Sequence, residues 1–263
     1  MKYNTIIFEK KNNVAFIKLN RPHDYNSLNA EMASELLDIS FKCDSDKSIR
    51  SVVLTGEGTK VFCSGGDLKS FYEEGDNLAK HLKEVTHLLH GAITRLSRMD
   101  APLITSVNGV AAGAGLSFVG LSDLVFSSNN ASFVSAYSSA GLTPDGSSSY
   151  FLPRIIGSRR YLELVMTNRV LSANEALSWG LVNQIFDQKV LWEKTIEFAE
   201  SLAKGPTLSF GRIKKLVHNS FTSSLEGQME LETQMISKSS ETFDAKEGIR
   251  SFLQKEEPNF RGE

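Results

Sequence analysis

The hydrophobic patterning of this chain predicts an α/β architecture with βαβ-type crossovers, followed by a helical C-terminal region. Three observations carry that prediction. Short apolar runs recur at 5–19, 51–55, 103–107 and 123–127; a long amphipathic stretch from Leu78 lies between two of them; and after residue 146 the strand signal thins and helical patterns replace it.

Taken in order, TIIFEK and VAFIKL read as two strands joined by Lys11-Asn12-Asn13, whose asparagines tolerate the left-handed backbone of a tight hairpin. Asn20-Arg21-Pro22 breaks the second strand. Ser27-Leu28-Asn29 then precedes an apolar-periodic run from Met32 to Phe41 that reads as a capped helix. Ser51–Thr55 is a buried-type strand closed by Gly56-Glu57-Gly58. From Leu78 the apolar residues fall at Leu82, Val85, Leu89, Ala92 and Leu96, which marks one face of a long helix ending near Asp100-Ala101-Pro102. Leu103–Val107 and Asp123–Ser127 are further buried strands, with a glycine-rich helix start, Gly113-Ala114-Gly115, between them.

Beyond them, helices are predicted over Ser172–Trp179, Trp192–Lys204, Pro206–His218 and Phe221–Ile236, with Pro206 in a first helical turn. Phe221, Leu225, Met229 and Ile236 share a face that either docking onto the core or a subunit contact would bury. No low-complexity linker or internal repeat divides the chain. The expected organisation is an α/β core over 1–200 and a helical region over 201–263.

Composition narrows the function. With 263 residues, 41% hydrophobic and net charge −2, the chain can build a sizeable core but has no summed positive field to attract nucleic acid or an anionic membrane surface. Neither partner is expected. Cys43 and Cys63 form no CxxC or Cys/His spacing, which argues against a metal site or a disulfide framework and for a reducing compartment. With no signal-like N-terminus and no apolar run of membrane-spanning length, a soluble cytoplasmic protein is expected. His23, His81, His87, His90 and His218 show no metal-ligand spacing and are assigned to surface or packing roles. A dinucleotide fingerprint is absent, because Gly113-Ala114-Gly115 lacks the third glycine and the acidic context.

Two glycine loops remain. Ser64-Gly65-Gly66-Asp67 lies between a strand and a helix start, and Gly113-Ala114-Gly115 repeats the arrangement. One such loop is usually a tight turn. Two of them after neighbouring strands can bring their N–H groups to one point, as an oxyanion hole requires.

The series NRPHDYNSLN, FCSGGDLK, APLITSVNGVAAGAG and SDLVFSSNNASFVSAYSSAGLTPDGSSSYFLPRIIG, continuing through LSANEALSWGLVNQIF to SFLQKEEPNF, resembles the crotonase (enoyl-CoA hydratase/isomerase) superfamily over nearly the whole chain. The resemblance implies a crotonase-like ββα superhelix with C-terminal trimerisation helices, assembled as a homotrimer or a dimer of trimers. It implies an acyl-CoA thioester substrate, coenzyme A entering as part of that substrate, and no tightly bound cofactor. The oxyanion hole falls on the N–H groups of Gly66 and Ala114. Coenzyme A contacts fall on Asn26, Ser27 and Leu28 and on Ser64, Asp67, Leu68 and Lys69, mainly through backbone, with charge from Lys69 and Arg21. Asp67 also reads as a helix-start residue.

Family hydratases use two glutamates, at positions that correspond here to Ser117 and Tyr137. Neither activates water near neutral pH, since a serine needs its own base and a phenol titrates near about 10. In isolation Thr143-Pro144-Asp145-Gly146 is a turn or helix cap. Within the resemblance it looks like the single-acid site of family isomerases, especially the ring-epoxide isomerases of phenylacetate degradation and the Δ3,Δ2-enoyl-CoA isomerases, which makes Asp145 the base. A pocket of Phe133, Val134, Tyr137, Phe118 and Leu142 is expected around it. A hydratase, hydrolase or dehalogenase of the same family, and a catalytically silent acyl-CoA binder, are the alternatives.

Overall fold

The computed structural model describes residues 3–263. A hairpin opens it: β1 (Ile6–Lys11) pairs antiparallel with β2 (Val14–Leu19), and Asn12 and Asn13 both take positive φ, as a two-residue hairpin turn demands. Helix α1 (Ala30–Ser45) starts at Asn29, whose side chain accepts from the Met32 N–H at 2.9 Å. The long helix α3 (Leu78–Arg98) packs against α1 and buries Val85, Leu89, Ala92 and Leu96, the stripe expected from their spacing.

The rest of the core is a repeated strand–strand–helix unit. β3 (Ser51–Gly56) is followed by β4 (Val61–Cys63) and then by the short α2 (Leu68–Glu73) and α3; β5 (Leu103–Val107) is followed by β6 (Val110–Ala112) and α4 (Ala114–Leu121); β7 (Leu124–Ser128) is followed by β8 (Ser132–Val134). The first strand of each unit joins one sheet of order β1-β2-β3-β5-β7-β10, in which β10 spans Gln184–Phe186. The second joins a smaller sheet of order β4-β6-β8-β9, where β9 is Leu171–Ser172. Pairing from β2 to β10 in the large sheet is parallel, and its central strands β3, β5 and β7 are buried on both faces and read as apolar runs. One face carries the main core; the other, with Val14, Val53, Ile104 and Phe126, is covered by Leu191, Ala199 and Ala203 of α8 (Leu191–Ala203).

After β8 come α5 (Ser148–Ile156), α6 (Ser158–Thr167) and α7 (Ala173–Ser178), the last opened by a capping box between Ser172 and Glu175. Then α9 (Thr207–Ser220), α10 (Leu225–Ser240) and α11 (Phe243–Gln254) complete the chain. Two expectations need correction. Pro206 caps α9 instead of lying in its first turn, and Phe221 ends α9 instead of opening the next helix, which begins at Leu225 after a Ser224 cap. The apolar side chains predicted on that face are not buried by the core: Leu225 is 71% and Ile236 72% exposed.

Among the described residues no helix is long and apolar enough to cross a membrane, and no group of three or more His, Cys, Asp or Glu side chains is placed to hold a metal ion. Cys43 and Cys63 are free and buried, and burial pushes both thiols up to about 12.

Candidate active site

The two glycine loops meet because the strands that precede them are neighbours. β4 and β6 pair in parallel, Val61 with Val110 and Cys63 with Ala111, so both chains leave the small sheet at the same end. They then touch backbone to backbone: a Cβ added at Gly113 would lie 3.2 Å from Gly65 Cα. Gly113 has φ 52° and ψ −117°, a conformation that a residue with a Cβ resists, and it stands immediately before the first residue of α4. A Cβ at Gly115 would overlap the Cys63 carbonyl, so that glycine lets α4 sit directly on β4.

The outer edge of the first loop is taken by residues 25–28. Leu28 N–H donates to Gly65 O at 2.7 Å, Asp67 N–H donates to Leu28 O at 2.9 Å, and Ser64 N–H donates to Tyr25 O at 3.1 Å. Such a parallel bridge uses the groups flanking Gly66 and turns the Gly66 N–H to the opposite side. Ala114, the first residue of α4, has an N–H that no helical carbonyl can reach.

Gly66 and Ala114 both line a cavity of about 290 Å3. Leu28, Ser64, Leu68 and Asp145 line it as well. The remaining expected ligand contacts do not. Asn26 is buried, its amide donating to the carbonyls of Glu57 and Val61 at 3.0 Å each while its oxygen accepts from Arg21 N–H; it staples the 21–28 loop to the sheet. Ser27 is buried and accepts from the Arg21 guanidinium through its carbonyl and hydroxyl. Asp67 caps α2 by accepting from Ser70 N–H and pairs with Arg21 at 2.9 Å, which bears out its reading as a helix-start residue. Arg21 is thereby committed to fixing this loop. Lys69 is exposed, with no ion pair among the described residues.

Asp145 is the one carboxylate among the described residues that lines the cavity. Its side chain does not cap α5, whose N-cap is Ser147. Instead Oδ1 accepts from the Tyr137 hydroxyl at 2.5 Å, and its main-chain carbonyl accepts from Ser117 Oγ at 3.0 Å. Burial, and then the adjacent Asp145 carboxylate, push the Tyr137 phenol above the ordinary tyrosine range. Ser117 lies beneath this wall and does not line the cavity.

The expected apolar lining is half corrected. Tyr137 and Leu142 face the cavity, whereas Phe118 and Phe133 are fully packed in the core and Val134 is not part of the lining. Their place is taken by Phe71 of α2 and by Leu82, Val85 and Thr86 of α3. Lys83 of α3 adds a charge at the rim that the sequence did not single out. Leu82 and Val85 belong to the legible helix stripe; nothing local shows that its N-terminal end leaves the core and forms a cavity wall.

Comparison with known proteins shows the family. The sequence model of the enoyl-CoA hydratase/isomerase family matches residues 9–263. The chain belongs to that family. It is 34% identical over 258 residues, 98% of each chain, to the 1,2-epoxyphenylacetyl-CoA isomerase of Escherichia coli K12. It is 35% identical over 232 residues, 88% of this chain and 84% of the other, to 4-chlorobenzoyl coenzyme A dehalogenase-2 of an Arthrobacter species. The crystal structure of an enoyl-CoA hydratase from Bacillus anthracis superposes with a TM-score of 0.92 at 29% identity, covering 99% of this chain and 100% of that one. The ββα superhelix expected from the motifs is therefore the fold of the enoyl-CoA hydratase/isomerase family, and its members span isomerase, dehalogenase and hydratase names.

Proposed function

We propose that this protein is an acyl-CoA isomerase that works with a single carboxylate base, Asp145, and holds an enolate with the N–H groups of Gly66 and Ala114. The observation that carries this reading is the composition of the cavity: Asp145 is its one carboxylate among the described residues, and the family resemblance implies that Ser117 and Tyr137 stand at the positions of the two hydratase acids. Addition of water requires one group to activate the water and another to deliver a proton. A double-bond shift requires only one group. Asp145 takes a proton from the carbon beside the thioester, the electron pair moves onto the thioester oxygen, and the same carboxyl returns the proton further along the chain. Two N–H donors aimed at the oxygen favour the enolate over the neutral carbonyl, each contributing about 3 kcal/mol to barrier lowering. The apolar walls from Phe71, Leu82, Val85 and Leu142 keep water from the reacting carbons.

Coenzyme A enters as part of the substrate, held along the backbone of residues 26–28 and 64–69, with Lys83 available to its phosphates. The exposed apolar side chains of α10 and α11, among them Leu225, Ile236 and Phe252, favour a homotrimer or a dimer of trimers. A second reading is supported by the likeness to the Arthrobacter dehalogenase: Asp145 attacks a halogen-bearing ring carbon, the aryl ester forms as the carbon–halogen bond breaks and halide leaves, and water then cleaves the ester to free the carboxylate.

A substrate panel separates these readings. The isomerase reading expects turnover of a 3-enoyl-CoA or a ring-epoxide thioester and little hydration of crotonyl-CoA. Halide release from a 4-halobenzoyl-CoA, with Asp145 trapped as an ester, would transfer the assignment to the second reading. Robust crotonyl-CoA hydration, or tight thioester binding with no turnover of any of them, would refute the isomerase reading.

A further inference from the structure

The wall that carries Asp145 contains two groups that the reaction above does not use. The Tyr137 hydroxyl donates to Asp145 Oδ1 at 2.5 Å and lies 3.4 Å from Ser117 Oγ, which itself donates to the Asp145 carbonyl at 3.0 Å. On the other side of the turn, Gly146 N–H donates to His90 Nε2 at 3.2 Å. The turn is therefore gripped from three directions: α4 through Ser117, α3 through His90, and the loop after β8 through Tyr137. That loop is itself constrained. Ala136 has φ 62°, in the left-handed region that a Cβ disfavours, and the Tyr137 carbonyl accepts from both Ala140 and Leu142 N–H at 3.0 Å. A backbone held in such a conformation beside a cavity aims the next side chain, and here that side chain ends on the carboxylate.

We infer that Tyr137 is a positioning residue for the base: its hydroxyl occupies Asp145 Oδ1, so that Oδ2 alone faces the substrate and both removes and returns the proton. This rests on the isomerase reading. In the first half-reaction the C–H bond beside the thioester breaks, its proton goes to Oδ2 and its electron pair enters the enolate. In the second half-reaction the O–H bond on Oδ2 breaks and a new C–H bond forms two carbons further along, as the electron pair returns from the enolate. Tyr137 keeps its own proton throughout, because burial and the neighbouring carboxylate oppose its ionisation. The other titratable groups around the turn are His90 and Lys83, both on α3; α4 contributes only the Ser117 hydroxyl. Holding one carboxyl oxygen also blocks the rotation that would carry the transferred proton to water, so the proton returned is the one removed.

Tyr137→Phe keeps the ring and its apolar contacts and removes only the donor. The variant should lose about ten- to a hundredfold in kcat on a 3-enoyl-CoA, the usual scale for a misdirected catalytic group, with KM within about twofold of wild type. Run in D2O, it should incorporate more deuterium per turnover than wild type, because the freed carboxyl rotates and exchanges. An unchanged melting temperature in the same variant separates that exchange from a loss of packing. Site-specific 3-fluorotyrosine at 137 retains shape and fold while strengthening the donor; a changed kcat there supports the same role, and an unchanged one counts against it. A kcat equal to wild type in Tyr137→Phe, or a loss confined to KM, overturns the inference. Failure of the isomerase reading looks different: wild type and Asp145→Asn would then be equally inactive on 3-enoyl and epoxide thioesters, and the role of Tyr137 would fall with it.

Discussion

Backbone builds one side of the cavity and side chains build the other, and the two sides answer different questions. On the Gly66/Ala114 side, two parallel strands deliver two loops to the same end of the small sheet, and the glycines only allow them to touch. On the Asp145 side, a carboxylate, a phenol and a serine hydroxyl form one hydrogen-bonded cluster, and the proposed one-acid reaction rests on their identities. The contact between the loops is set by backbone, whereas reaction type depends on a few side chains.

The largest expected effect tests the side-chain half. Asp145→Asn keeps shape but cannot accept a proton, and should lower isomerase turnover by about two to four orders of magnitude. Calorimetric affinity for a non-reactive acyl-CoA and the melting temperature should stay near wild type; turnover equal to wild type would reduce Asp145 to a turn residue.

Next comes the backbone half. Gly113→Ala places a Cβ at positive φ and 3.2 Å from Gly65 Cα, so the Ala114 N–H should shift and kcat should fall about a hundredfold, the scale of one lost oxyanion donor. Gly66→Ala should be milder. Its Cβ meets only the Phe71 ring, at 2.7 Å, and a ring on the six-residue helix α2 can move. If the two variants were equally damaging, the idea that backbone contact between the loops sets the geometry would be wrong.

The smallest effects sharpen the account of coenzyme A binding. Lys83 lines the cavity and Lys69 does not, so Lys83→Ala should raise KM several-fold, while Lys69→Ala should change stability by no more than about 0.5 kcal/mol and KM hardly at all. The reverse order would restore the contact expected of Lys69.

How much of this was legible in the sequence follows the same division. The long apolar strands, the α3 stripe, both glycine loops and the isolated acid at 145 stand out because local pattern reflects burial or backbone freedom. The three-residue strands β4, β6 and β8 were too short for any period to register, although they make the loops neighbours. A helix starting in SSSYFL was legible, and Pro153 inside α5 obscured only how far it runs. Phe118 and Phe133 were placed in the pocket because apolar residues near a site look alike in sequence, and only three-dimensional packing sends them to the core. Lys83 was hidden because its relevance depends on the phase of a helix far along the chain from Asp145. That Ser117 and Tyr137 are not acids was plain; that both hold Asp145 was visible only once the loop after β8 folded back on α4.

A crystal structure with a non-reactive acyl-CoA thioester tests the central claim most directly. The thioester oxygen should lie within about 3 Å of both the Gly66 and Ala114 nitrogens, with Asp145 Oδ2 beside the carbon next to the thioester, Tyr137 on Oδ1, and no second carboxylate near. A thioester oxygen bound by neither N–H, or an Asp145 carboxylate turned away from the acyl carbons, would contradict it.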